Sequence, residues 1–140
     1  MKIFADTSGL YALLVRNDYM YVRAKLNFEY FAENKVNLMT SSFVLVETMA
    51  LLQRRIGMEP VRDFTTKILP LLDIIWIDQD WYSLGVQRLL TRGERDVSLV
   101  DCLSFEIMEA RDITHAFTFD RHFEDNGFTI AAFHDLDADR

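Results

Sequence analysis

The feature that most constrains this chain is the alternation of short β-capable runs with helical stretches. Lys2 to Ala5, Val36 to Thr40, Asp73 to Ile77, His115 to Phe119 and Phe128 to Phe133 have strand length and composition. Strands that alternate with helices argue for a mostly parallel sheet covered on both faces, so the expected fold class is α/β with five strands. The punctuation between them is well marked. Ser41 or Ser42 can cap a helix starting at Phe43, Gly57 ends it, and Pro60 and Pro70 sit near the start and end of the next. Asp78 is placed to cap a helix through Trp81, Tyr82, Val86, Leu89 and Leu90, and a further helix runs from Leu99 to about Arg111. An earlier helix, from about Tyr19 to Asn34, carries Val22, Leu26 and Tyr30 at intervals of four.

With 140 residues, half of them hydrophobic, the chain is the size of one domain that can bury a core without disulfides. The expectation is a single domain over residues 1–134 and a short acidic tail, Asp135 to Arg140. No apolar run approaches the ~20 residues that span a bilayer, and no secretory signal opens the chain, so the expected location is the cytoplasm, with no membrane partner. The lone Cys102 has no Cys or His at zinc spacing and reads as a core thiol. A net charge of −7 argues against gripping nucleic acid through a basic face, although bound divalent cations would reverse the sign in a carboxylate-rich pocket.

Four carboxylates stand where a carboxylate is costly. Asp6 follows the first strand at its carboxyl end, where open parallel sheets place ligands, and it could equally be the N-cap of the next helix. Glu47 has Phe43, Val44, Ala50 and Leu51 as its neighbours one turn away, which sets it into an apolar face; a pairing with Arg54 is the plain alternative. Asp101 completes an acceptable capping box with Ser98, yet lies between Phe105 and Met108 on the helix surface. Asp120 repeats the arrangement of Asp6, following His115 to Phe119 and preceding a short helix, Arg121 to Glu124, that it could cap. Such a group repels itself unless something positive occupies it, and hard divalent cations prefer oxygen ligands.

Phe4-Ala5-Asp6-Thr7-Ser8-Gly9, Ser42-Phe43-Val44-Leu45-Val46-Glu47-Thr48, Ser98-Leu99-Val100-Asp101-Cys102-Leu103-Ser104-Phe105 and Thr118-Phe119-Asp120-Arg121-His122-Phe123 closely resemble the four acidic motifs of PIN-domain ribonucleases, especially VapC-type toxins. The resemblance runs from Lys2 to about Gly127. It implies a PIN-like three-layer fold with sheet order 3-2-1-4-5, Mg²⁺ or Mn²⁺ held by Asp6, Asp101, Glu47 and Asp120, and endonucleolytic cleavage of RNA. Asp6 and Asp101 would contact metal most directly, and Thr7 and Ser98 would orient water or substrate. An antitoxin partner and a homodimer are implied as well. An antitoxin segment carrying Arg or Lys could insert among Asp6, Glu47 and Asp101. Asp96 is adjacent, although an exposed loop residue is its simpler reading. His115, His122 and His134 are not at metal-ligand spacing with the acids and read as surface or packing residues. The competing readings are a phosphotransfer or receiver domain, a solitary nuclease of RNA processing, and a non-catalytic RNA-binding or assembly module. Aspartyl phosphatases usually carry a second Asp where this chain has Ser8.

Overall fold

A computed structural model describes residues 1–132 of the chain. The elements run β1 (Lys2–Ala5), α1 (Thr7–Leu14), α2 (Tyr21–Glu33), β2 (Asn37–Ser41), α3 (Ser42–Arg55), α4 (Met58–Asp63), β3 (Asp73–Ile75), α5 (Gln79–Arg92), α6 (Leu99–Ala110), β4 (His115–Phe117), α7 (His122–Asp125) and β5 (Thr129–Ile130). After α4 the chain continues through a π-helical turn, Phe64–Ile68, and a 3₁₀ turn, Leu69–Leu71. The five strands form one sheet in the order β3-β2-β1-β4-β5, with every pairing parallel. β1 is central, and its Ile3, Phe4 and Ala5 are fully buried, as expected of a strand covered on both faces.

The order of strands decides where helices go. From β1 the chain steps outward to β2 and β3, then crosses back over to β4 and β5. Right-handed crossovers put the first set of helices on one face and the second set on the other. The packing agrees: α1 contacts α2 and α3, α3 contacts α4, and α5 pairs with α6. The reversal falls between β1 and β4, the switch point at which open parallel sheets place ligands beyond the carboxyl ends of their strands.

Strands 3 and 4 are shorter than the β-capable runs suggest, for the same reason. Beyond Ile75, the Ile77 N–H donates to Ser42 Oγ (2.9 Å) instead of to a ladder carbonyl. Beyond Phe117, the N–H groups of Phe119 and Asp120 donate to the hydroxyls of Ser8 (2.9 Å) and Thr118 (3.0 Å). Of the fifth run, Thr129–Ile130 is strand; Phe133, the boundary at residue 134 and the tail lie outside the described residues.

The periodicity of α2 misleads about its inner face. Ala24, Asn27 and Phe31 are buried, whereas Val22 is 65% and Leu26 43% exposed. The ring of Phe31 meets that of Phe117 edge to face at 5.5 Å, which fixes the roll of the helix and turns the Val22 stripe outward. Cys102 is buried and free, a core thiol. Among the described residues, no helix is long and apolar enough to cross a membrane.

One glycine sets how closely α1 can approach β4. A Cβ on Gly9 would meet the Phe117 carbonyl oxygen at 2.4 Å, and backbone there cannot yield cheaply. Gly9→Ala is therefore expected to cost roughly 1–3 kcal/mol in a urea melt, although Ala is the better helix former. An unchanged midpoint would show that α1 can move away from the strand.

Candidate active site

The first strand delivers Asp6 to this switch point, just ahead of α1. Asp6 is only 3% exposed. Its Oδ2 accepts the Ser8 N–H (3.4 Å), the Ser8 hydroxyl (3.0 Å) and the Thr118 hydroxyl (2.8 Å). Asp6 is thus the N-cap of α1, as the capping alternative had it, but the hydroxyls do more than cap. Ser8 Oγ and Thr118 Oγ1 lie 3.0 Å apart and receive the N–H groups of Phe119 and Asp120. The end of β1 is thereby stitched to the segment that carries Asp120. Asp6 Oδ2 is thus held three ways. Burial raises the Asp6 pKa to about 6 against the pull of the Thr118 bond, and the Asp101 carboxylate adds to the rise.

Asp101 enters from the first turn of α6. Its Oδ2 accepts the Ser98 N–H, and its own N–H donates to Ser98 Oγ, both at 3.1 Å. The capping box is real, so for this residue the cap and the acid cluster are not alternatives. The pKa of Asp101 is raised, chiefly by burial; its bond with the Ser98 N–H opposes this, and the charges of Asp120 and Glu47 reinforce it. Asp101 therefore feels all three other acids: Asp6 on one side, Asp120 and Glu47 on the others.

Glu47 is half-buried on α3, whose N-cap is Ser41. The proposed pairing with Arg54 is not formed: Arg54 is exposed, and no ion pair joins the two. Arg54 lies seven residues along the helix, whereas the Glu47 charge is felt at Asp101. Asp120 is also displaced from its expected role. α7 begins at His122, and Asp120 Oδ1 accepts the His122 N–H (2.9 Å) from two residues ahead of the helix, a local turn instead of an N-cap.

His122 is where sequence reasoning missed most. Its Nε2 lies 3.1 Å from Asp96 Oδ2 and its Nδ1 2.9 Å from Asp120 Oδ1. Asp101, Asp120 and His122 together offer ligand atoms within 4.8 Å of one another. The His122 pKa is raised, with the Asp96 bond the largest cause, and that of Asp96 is lowered, with the same bond the largest cause. The signal in the sequence was the pair Asp120 and His122, two residues apart across a turn; a spacing rule drawn for helices and strands does not register it. Thr118 and Ser8, which hold Asp6, left no signal beyond their hydroxyls.

α7 is too short to stand alone and is held from below. Phe123, fully buried, meets the Phe105 ring at 4.9 Å, and Phe128 stacks on Phe105 at 5.6 Å. Arg88, on α5, donates to Asn126 Oδ1 (3.1 Å) and pairs with Glu109 (3.0 Å) on α6, while Asn126 Nδ2 donates to the His122 carbonyl (2.8 Å). α5 and α6 thus brace the segment that carries the residue beside the acids.

The donor set fits a hard divalent cation. Four carboxylates are electrostatically coupled, and among the described residues no Lys or Arg forms an ion pair with any of them. The Thr7 hydroxyl, next to Asp6, is buried without a hydrogen-bond partner, which leaves it available to a bound water. Ser98, by contrast, is exposed and its hydroxyl is engaged in the capping box.

A fold with this sheet order and acids at its switch point defines a class, and the PIN-domain family model matches residues 3–129. The chain belongs to the PIN-domain family. It is 32% identical over 127 residues to the 23S rRNA-specific endonuclease VapC20 of Mycobacterium tuberculosis, covering 90% of this chain and 95% of that one. The crystal structure of that protein, described as a sarcin-ricin loop cleaving toxin, superposes with a TM-score of 0.80 at 30% identity, covering 91% of this chain and 96% of the other. VapBC2 from Rickettsia felis, crystallised on a DNA fragment from its promoter, shares the fold at a TM-score of 0.69 and 18% identity, with 94% and 98% of the two chains covered.

Proposed function

We propose that this protein is a VapC-type endoribonuclease, dependent on Mg²⁺ or Mn²⁺, and the toxin half of a toxin-antitoxin pair in the cytoplasm. The observation that carries the reading is the convergence of Asp101, Asp120 and His122, whose ligand atoms lie within 4.8 Å of one another, at the residue where the charges of Asp6 and Glu47 are also felt. So many negative charges so close together are tolerable when a cation is bound, and they serve no structural purpose that one capping acid could not. Asp6, Asp101, Glu47 and Asp120 would hold the metal. When bound, the ion supplies a water acidified enough to attack a phosphodiester and stabilises the leaving oxygen. The protein's own part is to position. The Ser8 and Thr118 hydroxyls fix Asp6, the capping box fixes Asp101, and the unpartnered Thr7 hydroxyl orients water or substrate.

The competing readings lose ground on particular residues. A phosphotransfer domain would need an accessible nucleophilic carboxylate, and Asp6 is buried and tied down on one oxygen by three bonds. A non-catalytic module has no use for acids kept unpaired. The name of the mycobacterial relative makes 23S rRNA the first substrate to test. The partner is an antitoxin whose basic residues insert among Asp6, Glu47 and Asp101, so its affinity falls as salt rises. The outward stripe of Tyr19, Val22 and Leu26 is apolar surface suited to a second copy of the chain or to that antitoxin.

Purified protein is expected to cut ribosomal RNA at discrete positions in millimolar Mn²⁺ or Mg²⁺ and to leave it intact in excess chelator. Equal cleavage with and without chelator, across a broad RNA panel, would rule out the metal-dependent reaction.

A further inference from the structure

We propose that His122 is a nitrogen ligand to the divalent ion of this site, oriented by Asp96, and that it makes the site favour Mn²⁺ over Mg²⁺. The proposal rests on the metal-dependent reading above and deepens it, because a purely carboxylate site would discriminate less between the two ions.

Three observations converge on the imidazole. The first is the Nδ1 atom, which is buried and has no hydrogen-bond partner among the described residues. Its 2.9 Å approach to Asp120 Oδ1 is short but not aligned as a hydrogen bond, and that oxygen already accepts the His122 main-chain N–H. Two neighbouring ligands of one octahedral ion, with bonds of about 2.1 Å, stand about 3 Å apart, so the spacing suits a shared cation. The second is the opposite ring nitrogen. Nε2 lies 3.1 Å from Asp96 Oδ2, and donation of an Nε2 proton to that carboxylate leaves the lone pair on Nδ1. A carboxylate behind a histidine in this way is the usual means of setting the tautomer and orientation of a metal-bound imidazole. The third is rigidity. The His122 carbonyl accepts from Asn126, Asn126 is held by Arg88 of α5, and the neighbouring Phe123 is fully buried, so the main chain at this ring is braced by the helices packed beside it.

Asp101 and Asp120 complete the group, their ligand atoms and the His122 nitrogen lying within 4.8 Å of one another. The chemistry of the set decides the preference. Mg²⁺ takes oxygen ligands and gives up its waters reluctantly, whereas first-row divalent ions accept imidazole nitrogen alongside carboxylates.

Mn²⁺ is both the favoured ion and a paramagnetic probe, so the test needs no RNA. Electron spin echo modulation on the Mn²⁺-loaded wild-type protein is expected to show a directly bound ¹⁴N, and His122→Asn should bind Mn²⁺ without it. In that variant the amide oxygen takes the place of Nδ1, so its Mn²⁺-over-Mg²⁺ preference, read by competition, should fall about 10-fold or more. Asp96→Asn should keep the nitrogen signal and weaken Mn²⁺ binding about 10-fold, since Asp96 acts through the ring and is itself largely exposed. Melts in chelator establish that each variant is folded. Mn²⁺ bound without nitrogen modulation, or with modulation that survives in His122→Asn, overturns ligation by His122 and leaves the nuclease reading standing. Failure of Mn²⁺ to bind in any manner that depends on Asp101 overturns both.

Discussion

Asp101→Asn is expected to lower RNA cleavage about 10²-fold or more while leaving the metal-free protein at least as stable as the parent. The two effects have separate origins in one side chain. The carboxylate charge is the point where Asp6, Glu47 and Asp120 meet electrostatically, so its removal weakens the hold on a cation. The capping box needs only an acceptor for the Ser98 N–H, which an amide oxygen still supplies, and the Asp101 N–H to Ser98 bond is main chain on one side. Asp101→Ala removes charge and acceptor together and should in addition cost about 0.5–2 kcal/mol of stability. Single-turnover cleavage and thermal melts in chelator measure the two quantities. If Asp101→Asn cut RNA at the parental rate, Asp101 would be a cap and nothing more. The divalent response adds a check: an ion bound only to the folded protein stabilises it by about 2.7 kcal/mol at a hundred times its dissociation constant, and the variant should respond much less.

Mild acid is expected to stabilise the metal-free protein, the reverse of ordinary acid denaturation. The Asp6 carboxyl has a pKa of about 6 in the fold against the ordinary 3.8 of an aspartate in the unfolded chain. Between those two pH values the folded state holds a proton that the unfolded chain has lost, so stability falls as pH rises through the window and is flat above it. The shift of about two units corresponds to about 3 kcal/mol in full, of which about 1 kcal/mol is recovered between pH 7 and pH 5. Asp101, also raised, acts with the same sign. His122 adds to it, because a histidine raised above 6.5 contributes stability fully present below that value and lost as pH climbs through its folded pKa. Asp96, whose pKa is lowered, contributes above 3.8 and loses its contribution only on further acidification, outside the window. Asp6→Asn should therefore be more stable than the parent at pH 7 and show a flatter profile. Urea melts from pH 5 to pH 7.5 in chelator test this, and identical profiles for the two proteins would mean that Asp6 carries its charge without penalty. Saturating Mn²⁺ should reverse the trend, since its ligands must be deprotonated.

Much of the architecture was legible because it depends on local patterns. Alternating runs gave the α/β class, and the all-parallel sheet follows from them. Resemblance supplied the strand order, which no periodicity contains. Legibility failed where a side chain acts across the fold. β4 stops early because a hydroxyl more than a hundred residues away, that of Ser8, takes the Phe119 N–H. The apolar spacing in α2 does not mark its inner stripe, because Phe117, in another element, chooses which residues face inward. Asp6 and Asp101 looked ambiguous between cap and chemistry, and the structure shows one carboxylate serving as cap and standing among the acids at once. His122 and Asp96 were set aside because each is unremarkable alone, and only the turn before α7 brings the ring between two carboxylates.

The stitch between Asp6 and Thr118 joins residues 112 positions apart, and it has a bearing on when such a protein can become dangerous to its host. A growing chain presents β1 first, yet β1 ends the sheet's middle, and its neighbour β4 is not made until nearly everything else has been. Contacts this distant in sequence form late and slowly. Until Thr118 arrives, Asp6 lacks its shortest bond, and Asp120 does not exist. The half-made polypeptide therefore lacks the full acid group until β4 and the turn after it are made, so cleavage by the site proposed above must wait for the end of synthesis.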